Sequence, residues 1–221
     1  MTWPFQNLQR GKYGAIVADP PWAYAVFSEK GKGRSAERHY ATEGTDWVCS
    51  LPVGDLAAKN CHLFLWITGP CLVRGDHVRV MDAWGFKPSA MAFVWLKAKR
   101  GAFEQSDAFF RADASAFVKG MGHTTRQNAE YVVLGRRGSP RRHTKAMHQL
   151  IVEPRREHSR KPEIFRSHVE EYVGTGTPIA PSGSSGPRLH AGIGAARALP
   201  YTAPALVSPS SCSRGGRSME R

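Results

Sequence analysis

The feature that most constrains this chain is an apolar run that ends in an acid, two prolines and a tryptophan. Residues 13–18 read as a short buried strand, and the chain continues directly with Asp19, Pro20, Pro21 and Trp22. Proline fixes φ and carries no backbone N–H, so the strand cannot continue its ladder through this point. We therefore expect the chain to leave a sheet here in a rigid turn.

This turn brings three kinds of chemical group together. Asp19 places an acceptor at the C-terminal edge of the strand, where open α/β sheets bind their ligands. The carbonyls of the two prolines are expected to stay free and rigidly aimed, and Trp22 offers a flat face for stacking on a planar base. Together these groups suit the binding of an exocyclic amine on a flat ring. The alternative is that Pro20 and Pro21 merely turn the chain while Trp22 fills the core.

Composition narrows the class of protein. A length of 221 residues is enough for one α/β domain with a core of its own. Lys and Arg number 31 against 18 acids, and the charge of +13 favours a polyanionic partner such as nucleic acid, although an inert basic surface is the alternative. The four cysteines form no C-x-x-C pair and no metal spacing with histidine, which predicts reduced thiols and no metal site. Without a signal peptide or an apolar run of about 20 residues, we expect a cytoplasmic protein with no membrane contact.

The periodicity of the chain predicts alternating strands and helices. Strand signals occur at residues 13–18, 61–68, 90–96 and 130–134, with a weaker one at 148–152. A helical face is predicted between the second and third strands, formed by Val73, His77, Val80, Met81 and Trp84. A final helix is predicted to begin near Pro162, with an inner stripe of Phe165, Val169 and Tyr172. The pattern indicates an α/β fold with a doubly wound, mostly parallel sheet.

Two long loops and a tail complete the predicted organisation. Residues 27–38 and 97–125 lack clear periodicity, and we interpret them as substrate-handling loops. From residue 174 onward Ser, Gly, Pro and Ala make up 29 of 48 residues, and the single acid is Glu220. This composition predicts one folded domain over residues 1–173 and a low-complexity, disordered tail over residues 174–221.

Several separated sequence blocks, all in one order, resemble the adenine-N6 methyltransferase family related to the 70-kDa catalytic subunit of the messenger-RNA methylase. The first block is residues 16–22, which contain the Asp-Pro-Pro-Trp turn. The others are residues 39–42, 50–53, 63–69, 84–86, 93–97, 120–123, 130–135 and 158–162. The resemblance implies a Rossmann-like methyltransferase sheet in permuted order, with residues 1–173 as the methyltransferase domain.

The resemblance also implies a reaction, methyl transfer from S-adenosylmethionine to N6 of adenine. Asp19 and the Pro20 carbonyl would accept the two N–H bonds of the amine, so that its lone pair faces the methyl group. Asp19 would stabilise the positive charge that develops on nitrogen, and Trp22 would stack on the adenine. Pro21 completes the catalytic turn. Asp19, Pro20 and Lys161 are the residues expected to lie against the cofactor.

Two further residues match family positions. Tyr40 matches a tyrosine of the active-site loop and is expected to close over the adenosine, unless it merely anchors the loop. Lys161 matches a lysine near cofactor and substrate, with a solvated lysine at a helix start as the alternative.

Residues 136–161 contain nine Lys or Arg and two acids. This stretch predicts a phosphate-binding surface, although a solvated basic face would read the same way. The residues assigned to it are Arg136, Arg137, Arg141 and Arg142. Their position just before the expected active-site segment favours a substrate-binding role, and adenine in a duplex would have to be flipped out to be reached.

The chain departs from the family after residue 173. A family strand with a pattern like E-L-F-x-R, followed by Gly-Trp and Gly-Asn, is expected there to hold the cofactor, and the low-complexity tail stands in its place. We hypothesise a shift of reading frame near Gly174. DNA is favoured as substrate because the domain is compact and lacks an evident RNA-binding region. The alternatives are an RNA adenine-N6 methyltransferase and an inactive nucleic-acid-binding relative.

Overall fold

The structure is a computed structural model that describes residues 3–5, 8–23, 43–101, 116–120, 124–155 and 160–180. Its strands are β1 (Tyr13–Ala18), β2 (Ala57–Ile67), β3 (Lys87–Ala98), β4 (Ala129–Arg137), β5 (Leu150–Pro154) and β6 (Ile179–Ala180). Its α-helices are α1 (Thr45–Ser50), α2 (Gly69–Arg74), α3 (Asp76–Ala83) and α4 (Ile164–Val173), and a 3-10 helix spans Pro52–Leu56. The five predicted strands are confirmed in position, and β1 has the predicted bounds. None of the helices within these ranges is long and apolar enough to cross a membrane.

The six strands form one mixed sheet in the order β5-β3-β4-β2-β1-β6. The pairs β1–β2, β1–β6 and β3–β5 are parallel. Strand β4 runs antiparallel to both of its neighbours, β2 and β3. The fold is therefore α/β, as predicted, with one reversed strand in the middle of the sheet.

The reversal of β4 follows from the connection that precedes it. Parallel neighbours need a crossover that carries the chain back to the starting edge, whereas antiparallel neighbours can be joined along one edge. The described parts of this connection lie at the edge where β3 ends, because the Lys97 N–H donates to the Asn128 carbonyl (2.9 Å) and the Val118 N–H donates to the Lys97 carbonyl (2.8 Å). The end of β3 and the start of β4 consequently lie side by side.

Each face of the sheet is covered by its own core, as the apolar strands predict. Successive strand residues point to opposite faces. Leu63 and Leu65 of β2 pack into a cluster with Val80 of α3, while Phe64 packs into a second cluster with Phe165 of α4. The predicted inner stripe of the last helix is confirmed, because Phe165 and Val169 are buried.

The predicted helix between β2 and β3 is divided in two. Gly75 adopts φ +79°, a left-handed conformation that ends α2 and turns the chain into α3. The assignment of Val73 to the buried face is wrong, because this side chain is 89% exposed on the far side of the break. Met81 and Trp84, which follow the break, are buried as predicted.

The sheet continues beyond residue 173. Strand β6 pairs with β1, with Ile179 opposite Ala15 and Ala180 opposite Ile16. Glycine at position 14 allows this approach, since a Cβ there would lie 2.8 Å from the Thr177 side chain. A position beside β1 is thus filled by a strand of two residues from the segment predicted as tail, residues 174–221. The rest of that predicted tail, residues 181–221, lies outside the described residues.

Arg137 ties the end of β4 to the turn after α3. Its guanidinium donates hydrogen bonds to the carbonyls of Gly54 (2.6 Å), Trp84 (2.5 Å) and Gly85 (3.1 Å), and it lies 4.9 Å from the ring centre of Phe86. The assignment of Arg137 to phosphate binding is corrected here, because its donors already satisfy backbone acceptors within the chain.

Replacing Arg137 with Ala is expected to destabilise the fold by about 1–3 kcal/mol, because three carbonyls lose a charged donor. The neighbouring substitution Arg136→Ala serves as the matched control and should change stability by less than about 0.5 kcal/mol, since Arg136 is exposed. Urea unfolding of both variants measures the difference. Equal midpoints for the two variants would contradict the structural role of Arg137.

Candidate active site

Four charged side chains meet at one edge of the sheet. Asp19 directly follows β1, Lys97 lies near the end of β3, and Glu130 lies at the start of β4. Because β4 is reversed, its start lies at the same edge as the ends of β1 and β3. Lys161 reaches this edge from the segment before α4. The topology therefore assembles two acids and two bases from four separate parts of the chain.

The four groups alternate in charge. The Lys161 ammonium lies 3.1 Å from Asp19 Oδ1 and 2.8 Å from Glu130 Oε2. The Lys97 ammonium donates to the other oxygen of Glu130, Oε1, at 2.5 Å. We refer to Asp19, Lys161, Glu130 and Lys97 as the charged quartet.

Two tryptophan rings support the quartet from the sheet. The Lys161 ammonium lies 4.7 Å from the ring centre of Trp66, and the Lys97 ammonium lies 5.1 Å from that of Trp95. Contacts of this kind between a cation and an aromatic face are favourable, more so where water is excluded. The rings thus help to hold both lysines where their charges meet the acids.

The two acids of the quartet have opposite pKa shifts. Burial raises the pKa of Asp19 to about 6; the nearby Lys161 opposes this shift and Glu130 adds to it. For Glu130, burial alone would raise the pKa, but Lys161 and Lys97 outweigh it and lower the pKa to about 2. Burial would lower the pKa of Lys161, but Asp19 and Glu130 outweigh it, so this pKa lies above its ordinary value. At neutral pH Asp19 is therefore mainly ionised and is the member of the quartet that most readily takes up a proton.

Asp19 keeps one oxygen for a ligand. The residue is 8% exposed, and its Oδ1 faces Lys161. Within the described ranges no hydrogen bond to its second oxygen, Oδ2, is found. A buried carboxylate with an open acceptor at a strand end is a strong site for an N–H donor, because little water competes there.

The Asp-Pro-Pro-Trp turn is more tightly bonded than its sequence indicates. The Pro20 carbonyl accepts the Trp22 backbone N–H (2.8 Å), and the Pro21 carbonyl accepts the Glu43 N–H (2.8 Å). The expectation that these carbonyls stay free is therefore wrong. A carbonyl oxygen has two lone pairs, so Pro20 keeps one for a further donor.

Trp22 lies in the core. It is 5% exposed, and its indole N–H donates to the Trp66 carbonyl (2.8 Å). The position matches the packing alternative for this residue, because the flat face that stacking would use is covered. Trp22 thereby ties the turn after β1 to the end of β2, next to the ring that supports Lys161.

The residues that flank the predicted active-site loop, Trp22 and Glu43, lie side by side. Trp22 and Glu43 form an isolated parallel bridge, and the Ala23 N–H donates to the Glu43 carbonyl (3.1 Å). Arg74 contacts the Ala23 carbonyl (3.4 Å) while it pairs with the buried Asp76 (2.6 Å). Tyr40 lies outside the described residues, so its assigned role stays a prediction.

The structure separates the predicted basic residues from the quartet. Lys161 lies within the quartet, whereas Arg136 and Arg137 lie at the other end of β4. Six residues separate Glu130 from Arg136, which at about 3.4 Å per residue is about 20 Å. Arg141 lies at that far edge too, because its carbonyl contacts His62, the partner of Arg136 across the ladder (3.3 Å). The inference that the assigned arginines adjoin the active site is corrected for Arg136, Arg137 and Arg141, because the direction of β4 places them at the opposite edge.

Glu130 and Lys97 were not recognised as site residues from the sequence. Each was assigned only to a strand end or a loop. The available signal was the absence of helical periodicity in the sequence between them, since parallel neighbours are usually joined by a helical crossover. Among the described residues no group of three or more His, Cys, Asp or Glu is placed to hold a metal ion.

Fold and site together define an α/β domain with a ligand site at the carboxyl ends of its strands. The family model described as MT-A70 matches residues 13–179, which is well over half of the chain. The chain belongs to the MT-A70 family. The match extends past Gly174, the point at which a shift of reading frame was hypothesised.

Individual relatives agree with this assignment. The chain is 28% identical over 175 residues to the type II methyltransferase M.MunI of a Mycoplasma species, a match that covers 72% of this chain and 66% of the relative. It is 28% identical over 160 residues to a putative N(6)-adenosine-methyltransferase MT-A70-like of Medicago truncatula, a match that covers 72% of this chain and 22% of the relative. An N(6)-adenosine-methyltransferase MT-A70-like of Arabidopsis thaliana is 27% identical over 163 residues, a match that covers 74% of this chain and 20% of the relative. The chain thus spans about two thirds of the first relative and about a fifth of the plant proteins.

The charged quartet predicts an unusual titration for Asp19. In protein labelled at the aspartate carboxyl carbons, the Asp19 resonance should titrate near pH 6, because its pKa is raised to about 6. Lys161→Gln should move this midpoint to higher pH, since Lys161 is the cation that holds the pKa down. NMR titration measures both midpoints.

The control is Arg166→Gln, which removes an exposed cation of α4 and should leave the Asp19 midpoint unchanged. An Asp19 signal that titrates near pH 4 in every variant would show that the carboxylate is not buried beside Lys161.

Proposed function

We propose that this protein is an S-adenosylmethionine-dependent methyltransferase that transfers a methyl group to N6 of adenine in nucleic acid, with DNA favoured as substrate. The observation that carries the proposal is the open oxygen of the buried Asp19 carboxylate at the end of β1. Membership of the MT-A70 family and relatives named as methyltransferases support it.

The chemical difficulty of the reaction is the weak nucleophilicity of the adenine amine, whose lone pair is delocalised into the ring. Asp19 Oδ2 accepts one N–H of the amine and the remaining lone pair of the Pro20 carbonyl accepts the other, which draws the nitrogen toward tetrahedral geometry. Such positioning contributes several kcal/mol in well-oriented reactions, up to about 7–11 kcal/mol. As the nitrogen gains positive charge, the ionised Asp19 stabilises it in a site with little water.

Lys161 has a positioning role in this proposal. It holds Asp19 Oδ1 at 3.1 Å, so that the other oxygen faces the amine, and Glu130 in turn fixes Lys161 at 2.8 Å. Because Lys161 also keeps the pKa of Asp19 from rising further, it preserves the ionised form that the amine needs. General-base catalysis by Asp19 is not required, since the methylated cation is acidic enough to lose its proton to water.

The methyl donor, when bound, supplies an electrophilic methyl group on a sulfonium cation. The residues present fit a sulfonium group at the end of β1. The buried Asp19 carboxylate there can face both the positive charge of the sulfonium and the planar amine beside it. Asp19, Pro20 and Lys161 are the residues proposed to lie against it. The chain order supports a doubly wound, Rossmann-like sheet of permuted type, since the late strand β6 lies beside the early strand β1.

The choice of DNA depends on how the chain matches its relatives. It spans 66% of the type II methyltransferase M.MunI but about a fifth of the plant N(6)-adenosine-methyltransferases. In a DNA duplex the target adenine would have to be flipped out of the stack to reach Asp19. A cytoplasmic location also stays a prediction.

Replacing Asp19 with Asn tests the catalytic role. This isosteric change removes the negative charge and should lower methyl transfer by about 100- to 1,000-fold, the loss seen when one electrostatic contact to the reacting group is removed. Nucleic-acid affinity should change by less than about twofold. Transfer of tritiated methyl groups and fluorescence anisotropy measure the two quantities.

Asp82→Asn is the matched control, because the same change at an exposed position of α3 should leave both quantities unaltered. If Asp19→Asn retained full turnover, the carboxylate would not be at the reaction centre.

Substrate choice is tested with paired DNA and RNA oligonucleotides of one adenine-containing sequence. Methyl transfer to the DNA duplex is expected to be faster than to either RNA form. Faster transfer to RNA would favour the RNA adenine-N6 methyltransferase. Binding without transfer to any substrate would favour the inactive relative.

A further inference from the structure

A cluster of basic side chains occupies the sheet edge opposite the charged quartet. Lys87 begins β3 and lies directly opposite Arg136 in the ladder with β4. Arg141 and Arg142 follow on the segment after β4, and all four side chains are exposed. We refer to Lys87, Arg136, Arg141 and Arg142 as the distal basic cluster.

The charges of this cluster are uncompensated. Residues 136–149 include four Arg and one Lys but no acid. Some other exposed cations of the described chain are paired, as Arg10 is with Asp55, Arg79 with Asp46 and Arg166 with Glu170. No such pair is found for the cluster within the described ranges. Its positive potential is therefore open to an external anion.

The backbone beneath the cluster is held in place. The Ser139 N–H donates to the Asn60 side chain (2.9 Å), the Arg141 carbonyl contacts the His62 ring (3.3 Å), and the His143 N–H donates to the Tyr172 carbonyl (2.7 Å). These contacts fix the segment against β2 and the end of α4. An anion bound there pays little for ordering the backbone.

The strand residues of the cluster share one face of the sheet with Glu130 of the quartet. Alternate residues of β4 point the same way, so Glu130 and Arg136 lie on the face where Val132 and Leu134 pack against α4. The six residue steps from Glu130 to Arg136 correspond to about 20 Å. The phosphates of one DNA strand advance by about 3.4 Å per base pair along the duplex axis, so a duplex that runs along β4 would cover this distance in about six base pairs.

We propose that the distal basic cluster is a second nucleic-acid contact, which binds backbone phosphates of duplex DNA about six base pairs from the adenine at the quartet. The proposal rests on the proposed function for the position of the target adenine. The cluster holds the duplex and the electrically balanced quartet receives the base. Binding at the cluster reads no sequence, because phosphates are the same at every step.

The test compares a long and a short duplex. Anisotropy is measured with hairpin-capped DNA of about 24 base pairs and of about 8 base pairs, each with a central adenine, so that only the long one extends six steps from it. The variant is Arg136→Ala/Arg141→Ala/Arg142→Ala. This triple variant should bind the long duplex about tenfold or more weakly, and the slope of log affinity against log salt concentration should fall in magnitude by about 2–3. Its affinity for the short duplex should be unchanged.

The control variant is Arg10→Ala/Arg79→Ala/Arg166→Ala, which removes the same charge from paired, exposed positions and should not discriminate between the two lengths. An equal loss of affinity for both duplexes, or no loss of affinity for the long duplex, would overturn the proposal. Binding is measured without methyl transfer, so the two hypotheses fail separately. A length-dependent loss in a protein that transfers no methyl group would support the cluster and contradict the proposed function.

Discussion

The position of the Lys161 ammonium between two carboxylates is the interaction on which the site depends. Asp19 comes from the end of β1 and Glu130 from the start of β4, and these strands are separated in the sheet by β2. Lys161 bridges the gap because it approaches from above β2, with its ammonium over Trp66 of that strand. One cation therefore fixes the relative position of three elements, and its buried charge is compensated by the ionised Glu130 and, at neutral pH, by Asp19 as well.

The two acids make opposite contributions to the pH dependence of folding. The pKa of Asp19 is higher in the folded chain, so raising the pH from about 4 through 6 removes stability as this carboxyl loses its proton. The pKa of Glu130 is lower in the folded chain, so its contribution is present above about pH 4.5 and is lost as the pH falls through 2. Ionised Glu130 thus stabilises the folded chain at neutral pH, and this stabilisation offsets the cost of ionising the buried Asp19. This division fits a functional carboxylate supported by a structural one.

The sequence predicted the elements better than their directions. The strand before Asp19 and the inner stripe of α4 could be read from apolar runs, because burial on two faces imposes continuous apolar residues on a strand. The direction of β4 could not be read in this way, since an apolar strand has the same pattern in either direction. That direction decides the site: it brings Glu130 to Asp19 and removes Arg136 from it. Trp22 shows a similar limit, because the sequence around a turn does not indicate whether an aromatic side chain beside it is exposed or buried.

The reversed strand also explains how a chain with a charge of +13 can hold a balanced site. The quartet has two acids and two bases, so it attracts no phosphate by net charge, and a phosphate beside Asp19 would be repelled by it. Arg136 at the far end of β4 has no ion pair among the residues that the structure describes and lies about 20 Å away, a distance at which salt screens its effect on Asp19. Separation along a single strand would therefore allow the proposed backbone binding and the proposed amine binding to coexist without either disturbing the ionisation of the other. A parallel β4 would have placed Arg136 beside Asp19, where its cation would compete with the amine for the open carboxylate oxygen.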